Sequence, residues 1–133
     1  MALITLVLNY GSTSILDLLN VAAAGNESAV NDMLSSSVIL AMACTVLFGP
    51  IVEELVFRKA INQIVSNKII FIVVSALLFG FIHEAAFNLR IIPFALVGAM
   101  CAITYLKTEK NIIAPMIVHF ISNIVFTIWM YLE

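Results

Sequence analysis

Gly49-Pro-Ile-Val-Glu-Glu-Leu-Val-Phe-Arg58 sets two adjacent carboxylates, Glu53 and Glu54, and a guanidinium inside a run that is otherwise apolar. The surrounding chain is 63% hydrophobic and only 11% charged, with a mean hydropathy of +1.15. Soluble domains carry about a quarter of their residues as charged side chains, so this composition reads as an integral membrane protein. An ionised carboxylate in hydrocarbon is costly unless something compensates it, and intramembrane carboxylates are read first as functional groups.

Outward from that stretch, apolar segments run from Val38 to Phe57, Ile69 to Phe87, Ile91 to Leu106 and Ile112 to Leu132. Each is near the ~17–25 residues a spanning helix needs, which predicts an all-α fold, a polytopic transmembrane helical bundle of about four spanning helices. Residues 1–37 read separately, as an N-terminal partial or interfacial helix with an extracytoplasmic segment, and 38–133 as one core. Within 1–37 the apolar run Ala2 to Leu8 is too short to cross, and Gly11, Asn20, Gly25, Asn26 and Asn31 punctuate the chain beyond it. The run Ile15 to Ala24 suits an interfacial position but has no basic anchor. No positive residue precedes the first apolar segment, which argues against a secretory signal peptide.

Charge sets the expected orientation. Lys59 and Lys68 flank one loop and Lys107 and Lys110 occupy another, whereas Asp17, Glu27 and Asp32 are the charges of the N-terminal segment. The positive-inside rule makes the two lysine loops cytoplasmic in a multi-pass protein of the cell membrane, with Arg90 as the exception. A net charge of -2 without a basic run gives no footing for nucleic acid. Cys44 and Cys101 fall in apolar spans without metal-type spacing and read as small core residues.

Two further polar groups share the spans: Phe79-Gly-Phe-Ile-His83 and His119-Phe-Ile-Ser-Asn123, which contain both histidines of the chain. With a turn near Ser66 to Lys68, Glu53 and His83 both lie ~20 Å from the loop at ~1.5 Å per residue, so an antiparallel hairpin brings them level. His119 and Asn123 fall ~13–20 Å into the last span by the same count. Residues four apart share a helix face, which pairs Glu54 with Arg58, Phe79 with His83, and His119 with Asn123. Gly49-Pro50 predicts an interruption, with the glutamates opening a new helical segment. Structural readings stand beside these: Glu54 and Arg58 suit an ion pair that orients the helix as well as a catalytic element. A histidine in a span often serves as an interhelical hydrogen-bonding group. Phe79 reads as packing.

A carboxylate beside an imidazole can activate water, because each can take a proton. His119 and Asn123, one turn apart, can both aim donors at a developing oxyanion, and the combination suits hydrolysis of an amide or ester. A zinc protease of the His-Glu-x-x-His type does not fit, since Ala-Ala-Phe follows His83-Glu84. Nor does an aspartyl dyad, with Asp17 and Asp32 outside the spans, or a Gly-x-Ser-x-Gly nucleophile, since Ser75 and Ser122 lack that setting.

Glu53-Glu54-x-x-x-Arg58, Phe79-x-x-x-His83 and His119-x-x-x-Asn123, in this order within apolar helices, resemble the signature of the CPBP family. That family comprises type II CAAX prenyl proteases and bacteriocin-processing or immunity enzymes, and the resemblance covers about Val38 to Leu132. It implies an intramembrane endopeptidase in which Glu53 and His83 activate water, His119 and Asn123 form the oxyanion hole, and Glu54 and Arg58 support the site. The implied partner is a peptide or protein substrate at the lipid bilayer, prenylated in the eukaryotic members. Members carry further helices ahead of the glutamate motif, so residues 1–37 read as a remnant, with a partner chain or homo-oligomer left to shield Glu53. No cofactor is expected: Glu53, Glu54, His83 and His119 hold donor types suited to zinc, but the resemblance leans to a metal-free mechanism. Two other functions use the same cluster: a non-catalytic membrane adaptor or bacteriocin-immunity protein, and a proton carrier.

Overall fold

A chain with these apolar runs must pair its backbone N–H and C=O groups internally, and helices do so within each segment. The computed structural model describes residues 1–22, 32–33, 35–84 and 87–132, and every regular element among them is helical. The helices are α1 (Ala2–Leu18), α2 (Val38–Ile64), α3 (Lys68–Glu84), α4 (Ile91–Lys107) and α5 (Ile113–Leu132). Helices α3 and α4 form the most extensive pair, α2 packs across α3, α4 and α5, and α1 lies against α4 and α5.

The expected count of four spans is met by length and composition in one helix. α2 has 27 residues, its most apolar 18-residue window has a mean hydropathy of 1.9, and only 22% of that window is buried, unlike the core helix of a soluble protein. α1, α4 and the Ile113–Trp129 part of α5 are shorter apolar helices. At ~1.5 Å per residue, the 17-residue helices reach ~26 Å, a few ångströms short of a ~30 Å hydrocarbon core. The radial distribution is inverted relative to a water-soluble protein: Ile39, Leu47, Phe48, Val52, Ile69, Leu77 and Ile82 are exposed, while Glu54, Arg58, Glu84 and His119 are buried.

Two expectations need adjusting. The expected N-terminal partial helix is longer than its apolar run Ala2 to Leu8: α1 continues through Gly11 to Leu18. The hydroxyls of Thr5 and Ser12 bond the carbonyls of Met1 and Leu8 one turn back, which keeps them compatible with an apolar helix. Tyr10 packs on Trp129 of α5, and Asp17 pairs with Arg90 at 2.5 Å. Arg90 also donates to the Val21 carbonyl at 2.7 Å, so the basic residue that broke the charge pattern is the clasp for α1. Glu27, Gly25, Asn26, Asn31 and the end of the Ile15 to Ala24 run lie outside the described residues.

The second correction concerns Gly49-Pro50, which does not interrupt α2. A π-helical segment, Ala43–Phe48, precedes it, and Pro50 falls in the first turn of the next α segment, Gly49–Glu54, where a missing N–H is tolerated. A second π segment, Leu55–Ala60, follows the glutamates. Glu53 and Glu54 are therefore bracketed by two wide turns within one continuous helix.

The turn after α2 forms where expected. Asn67 accepts the N–H groups of Ile69 and Ile70 through Oδ1 at 2.9 and 3.1 Å and caps α3. Contact between the Phe71 and Tyr105 rings brings the Lys68 and Lys107 ends of α3 and α4 together. At Gly98 a Cβ would stand 2.9 Å from the Phe79 Cβ and 3.1 Å from the Ala76 Cα, so the two helices touch backbone to side chain there. Gly98→Ala should lower stability by about 1–3 kcal/mol through overpacking, read as a lower unfolding midpoint in detergent micelles. An unchanged midpoint would show that α3 and α4 have slack at this crossing.

Candidate active site

The antiparallel placement of α2 and α3 brings Glu53 and His83 to the same depth, and α5 adds His119. Glu53 Oε2 lies 3.5 Å from His83 Nε2 and 3.6 Å from His119 Nε2. These side chains border a cavity of ≈ 210 Å³ whose wall also includes Asn123, Thr45, Phe79, Phe94 and Phe126. Glu53 is 27% exposed and His83 14%, so both reach the cavity, whereas Glu54 and Arg58 are fully buried behind them.

Glu54 is the hub of that buried layer. Its Oε1 accepts from Arg58 Nη2 at 3.2 Å and from the His119 Nδ1 side at 3.0 Å. Arg58 Nε stands 2.8 Å from Glu54 Oε2 without the alignment of a hydrogen bond, so that contact is Coulombic. The guanidinium also lies 5.3 Å from the centre of the Phe79 ring. A charge pair wholly removed from solvent is stable only with both members present.

The histidine rings are oriented by their other nitrogens. His83 Nδ1 is 2.8 Å from the Phe79 carbonyl, which can only accept, so Nδ1 carries a proton and the Nε2 lone pair of the neutral ring faces Glu53. Phe79 stacks on His83 with centroids 4.2 Å apart and meets His119 edge-on at 5.2 Å. The residue read as packing thus fixes both imidazoles. An ionised Glu54, held by Arg58, likewise turns His119 so that Nδ1–H points at it and Nε2 toward Glu53.

Asn123 takes a position that sequence spacing did not foresee. Its Nδ2 donates to the Thr45 carbonyl at 2.7 Å. That carbonyl has lost its helical partners: the Gly49 N–H goes to Cys44 instead, and the next residue, Pro50, has no N–H. Asn123 therefore ties α5 to the first π turn of α2 with one amide hydrogen, and the amide has a second.

The six sequence-derived residues gather at one place: Glu53, His83, His119 and Asn123 line the cavity, and Glu54 and Arg58 stand buried behind it. The sequence pattern did not single out Asn9, which brings α1 to the cavity wall, or Ser75, which is fully buried against Arg58. Ser75 had a legible signal, since it stands alone as a polar residue in Ile69 to Ile82 and shares a face with Phe79 and His83 at spacings of four. Cys101 is a buried core residue as expected, but Cys44 is exposed on the cavity wall. Among the described residues no group of three or more His, Cys, Asp or Glu is arranged to hold a metal ion. Glu54, one of the candidate zinc donors, is committed to Arg58 and His119.

A family model described as Type II CAAX prenyl endopeptidase Rce1-like matches residues 35–125, a span that includes all six residues. No curated protein and no solved structure matches the chain.

Arg58→Met removes one member of the buried pair and should cost about 3–5 kcal/mol in unfolding free energy. Adding Glu54→Gln should recover part of that loss, because the orphaned charge is gone. Equal stability of the single and double variants in denaturant titrations would show that Arg58 does not compensate Glu54.

Proposed function

The chain belongs to the type II CAAX prenyl endopeptidase Rce1-like family, and from that premise we propose that it is an intramembrane endopeptidase hydrolysing a peptide bond of a membrane-associated substrate. The observation that carries this reading is Glu53 Oε2 facing both Nε2 atoms at 3.5 and 3.6 Å on a cavity wall. Those separations exceed a direct hydrogen bond, and Oε2 itself is closed off and unbonded, so in this reading the water sits on the cavity-facing side of the Glu53 carboxylate.

In the proposed reaction that water loses a proton to the Glu53 and His83 pair while its oxygen bonds to the scissile carbonyl carbon. The carbonyl electron pair moves to oxygen, and His119 with the second N–H of Asn123 supplies donors to that oxyanion. For His119 to donate through Nε2 while Nδ1–H serves Glu54, the ring must be an imidazolium. Ionised Glu53 and Glu54 against Arg58 leave one uncompensated negative charge, and a single such proton cancels it. Collapse of the intermediate breaks the C–N bond, and the proton held by Glu53 and His83 passes to the departing amine. Glu54 and Arg58 hold His119 from behind rather than touching substrate.

Family and cavity together point to the substrate class: a C-terminal peptide, prenylated in the family's defining reaction, with apolar side chains for the wall of Phe79, Phe94 and Phe126. In this reading the lysine-bearing ends of α2, α3 and α4 lie on the cytoplasmic side, as the positive-inside rule expects.

The test uses an internally quenched farnesyl-cysteine peptide with purified protein in micelles. Glu53→Gln and His83→Ala should each lower kcat by about 10²–10⁴-fold while the protein stays inserted and folded. Wild-type cleavage by either variant would overturn this mechanism. A protective phenotype in cells that survives Glu53→Gln would move the reading to a non-catalytic adaptor or immunity protein.

A further inference from the structure

Ser75 is a fully buried hydroxyl at the junction of α2 and α3, with no part in the chemistry above. It donates to the Phe57 carbonyl at 2.7 Å and accepts from Arg58 Nη1. At the second π segment the Phe57 carbonyl has lost its ordinary i+4 partner, because the Ile61 N–H bonds the Val56 and Arg58 carbonyls instead. A buried carbonyl without a partner is costly, so the wide turn needs a donor from outside its own helix. Ser75 supplies that donor as Asn123 does for Thr45 at the first π segment. Its hydroxyl, with one hydrogen and two lone pairs, can serve the carbonyl and the guanidinium together.

We propose that Ser75 is a positioning residue: by bonding the Phe57 carbonyl and the Arg58 guanidinium it fixes the second π turn of α2, and through Arg58 the Glu54 carboxylate that orients His119. The connection is continuous, from Ser75 to Arg58, from Arg58 to Glu54 at 3.2 Å, and from Glu54 to His119 at 3.0 Å. Glu54 immediately precedes that turn and Arg58 lies within it, so a return to ordinary i→i+4 bonding would rotate one against the other. Ser75 never meets the substrate. Its effect falls on the orientation of His119 and Glu53, to which the reacting step is sensitive.

The kinetic arm of the test rests on the peptidase reading, and the spectroscopic arm does not. With the farnesyl-cysteine peptide, Ser75→Ala should lower kcat by about 10²-fold with KM nearly unchanged. Ser75→Cys, which keeps the size and a weaker donor, should give an intermediate kcat. Because Ser75 acts through Arg58, adding Ser75→Ala to Arg58→Lys should cost less than the product of the two single losses. Independently of turnover, ¹⁵N-labelled protein in micelles should show slowly exchanging Arg58 guanidinium N–H signals that broaden or vanish in Ser75→Ala.

A folded Ser75→Ala protein with wild-type kcat, or with unchanged Arg58 signals, overturns the assignment. Should Ser75→Ala fail to fold, Ser75→Cys decides on the same two readouts. If the wild-type protein leaves the peptide uncut while the Arg58 signals respond as expected, the peptidase reading fails and the positioning role stands.

Discussion

The Glu54–Arg58 pair is the interaction on which the rest of the structure depends. Both side chains are removed from solvent inside a bundle whose outer surface is almost entirely hydrocarbon. Neither charge could be tolerated there alone, because the desolvation penalty of one ion is offset only by its partner and by added hydrogen bonds. The partners are few and directional: His119 on the carboxylate, Ser75 on the guanidinium, and the Phe79 ring beside it. Helices α3 and α5 are thereby held in one register against α2. The cavity in front of the pair inherits its geometry, since His119 faces Glu53 only because its other nitrogen faces Glu54.

The two π segments explain how one helix presents adjacent carboxylates to different environments. Neighbouring residues on a regular helix project about 100° apart, so Glu53 and Glu54 already diverge. The wide turns on either side then change the phase of the whole stretch, and each frees a carbonyl that a neighbouring helix must bond. Asn123 and Ser75 do so from α5 and α3. Irregular backbone within an apolar helix is thus tolerated here because its carbonyls meet polar side chains of the same bundle. The Ser75 bond also ties the site to the packing of α3 against α4, where Gly98 lets Phe79 and its helix approach closely.

The contrast between the legible and the illegible parts of the fold tracks the range of the forces involved. Depth counting aligned Glu53 with His83 because a helix has a fixed rise and a turn at Asn67 is marked by its own capping chemistry. The Glu54–Arg58 and Phe79–His83 contacts were likewise legible, being local pairs on one face. Pro50 misled because the rule that proline breaks a helix assumes i→i+4 bonding throughout, and the preceding π segment removes that premise. α1, expected as a partial helix, runs past its apolar stretch although glycine and hydroxyl residues weaken a helix in isolation, because packing on α4 and α5 and the Asp17–Arg90 pair hold it in place.

By itself the sequence determined the apolar class of the chain, its helical character, the rough lengths of its helices and the six polar residues that come to line or back one cavity. Each of these depends on composition, periodicity or spacing along one helix. Only the tertiary structure decided which donor serves which acceptor: that Asn123 bonds Thr45, that Ser75 holds Phe57 and Arg58, and that Glu54 rather than Glu53 is the buried one. Those choices depend on helix phase at the two π turns and on the separations between helices. Hydrogen bonds discriminate at tenths of an ångström, a precision that hydrophobic pattern and residue spacing do not carry.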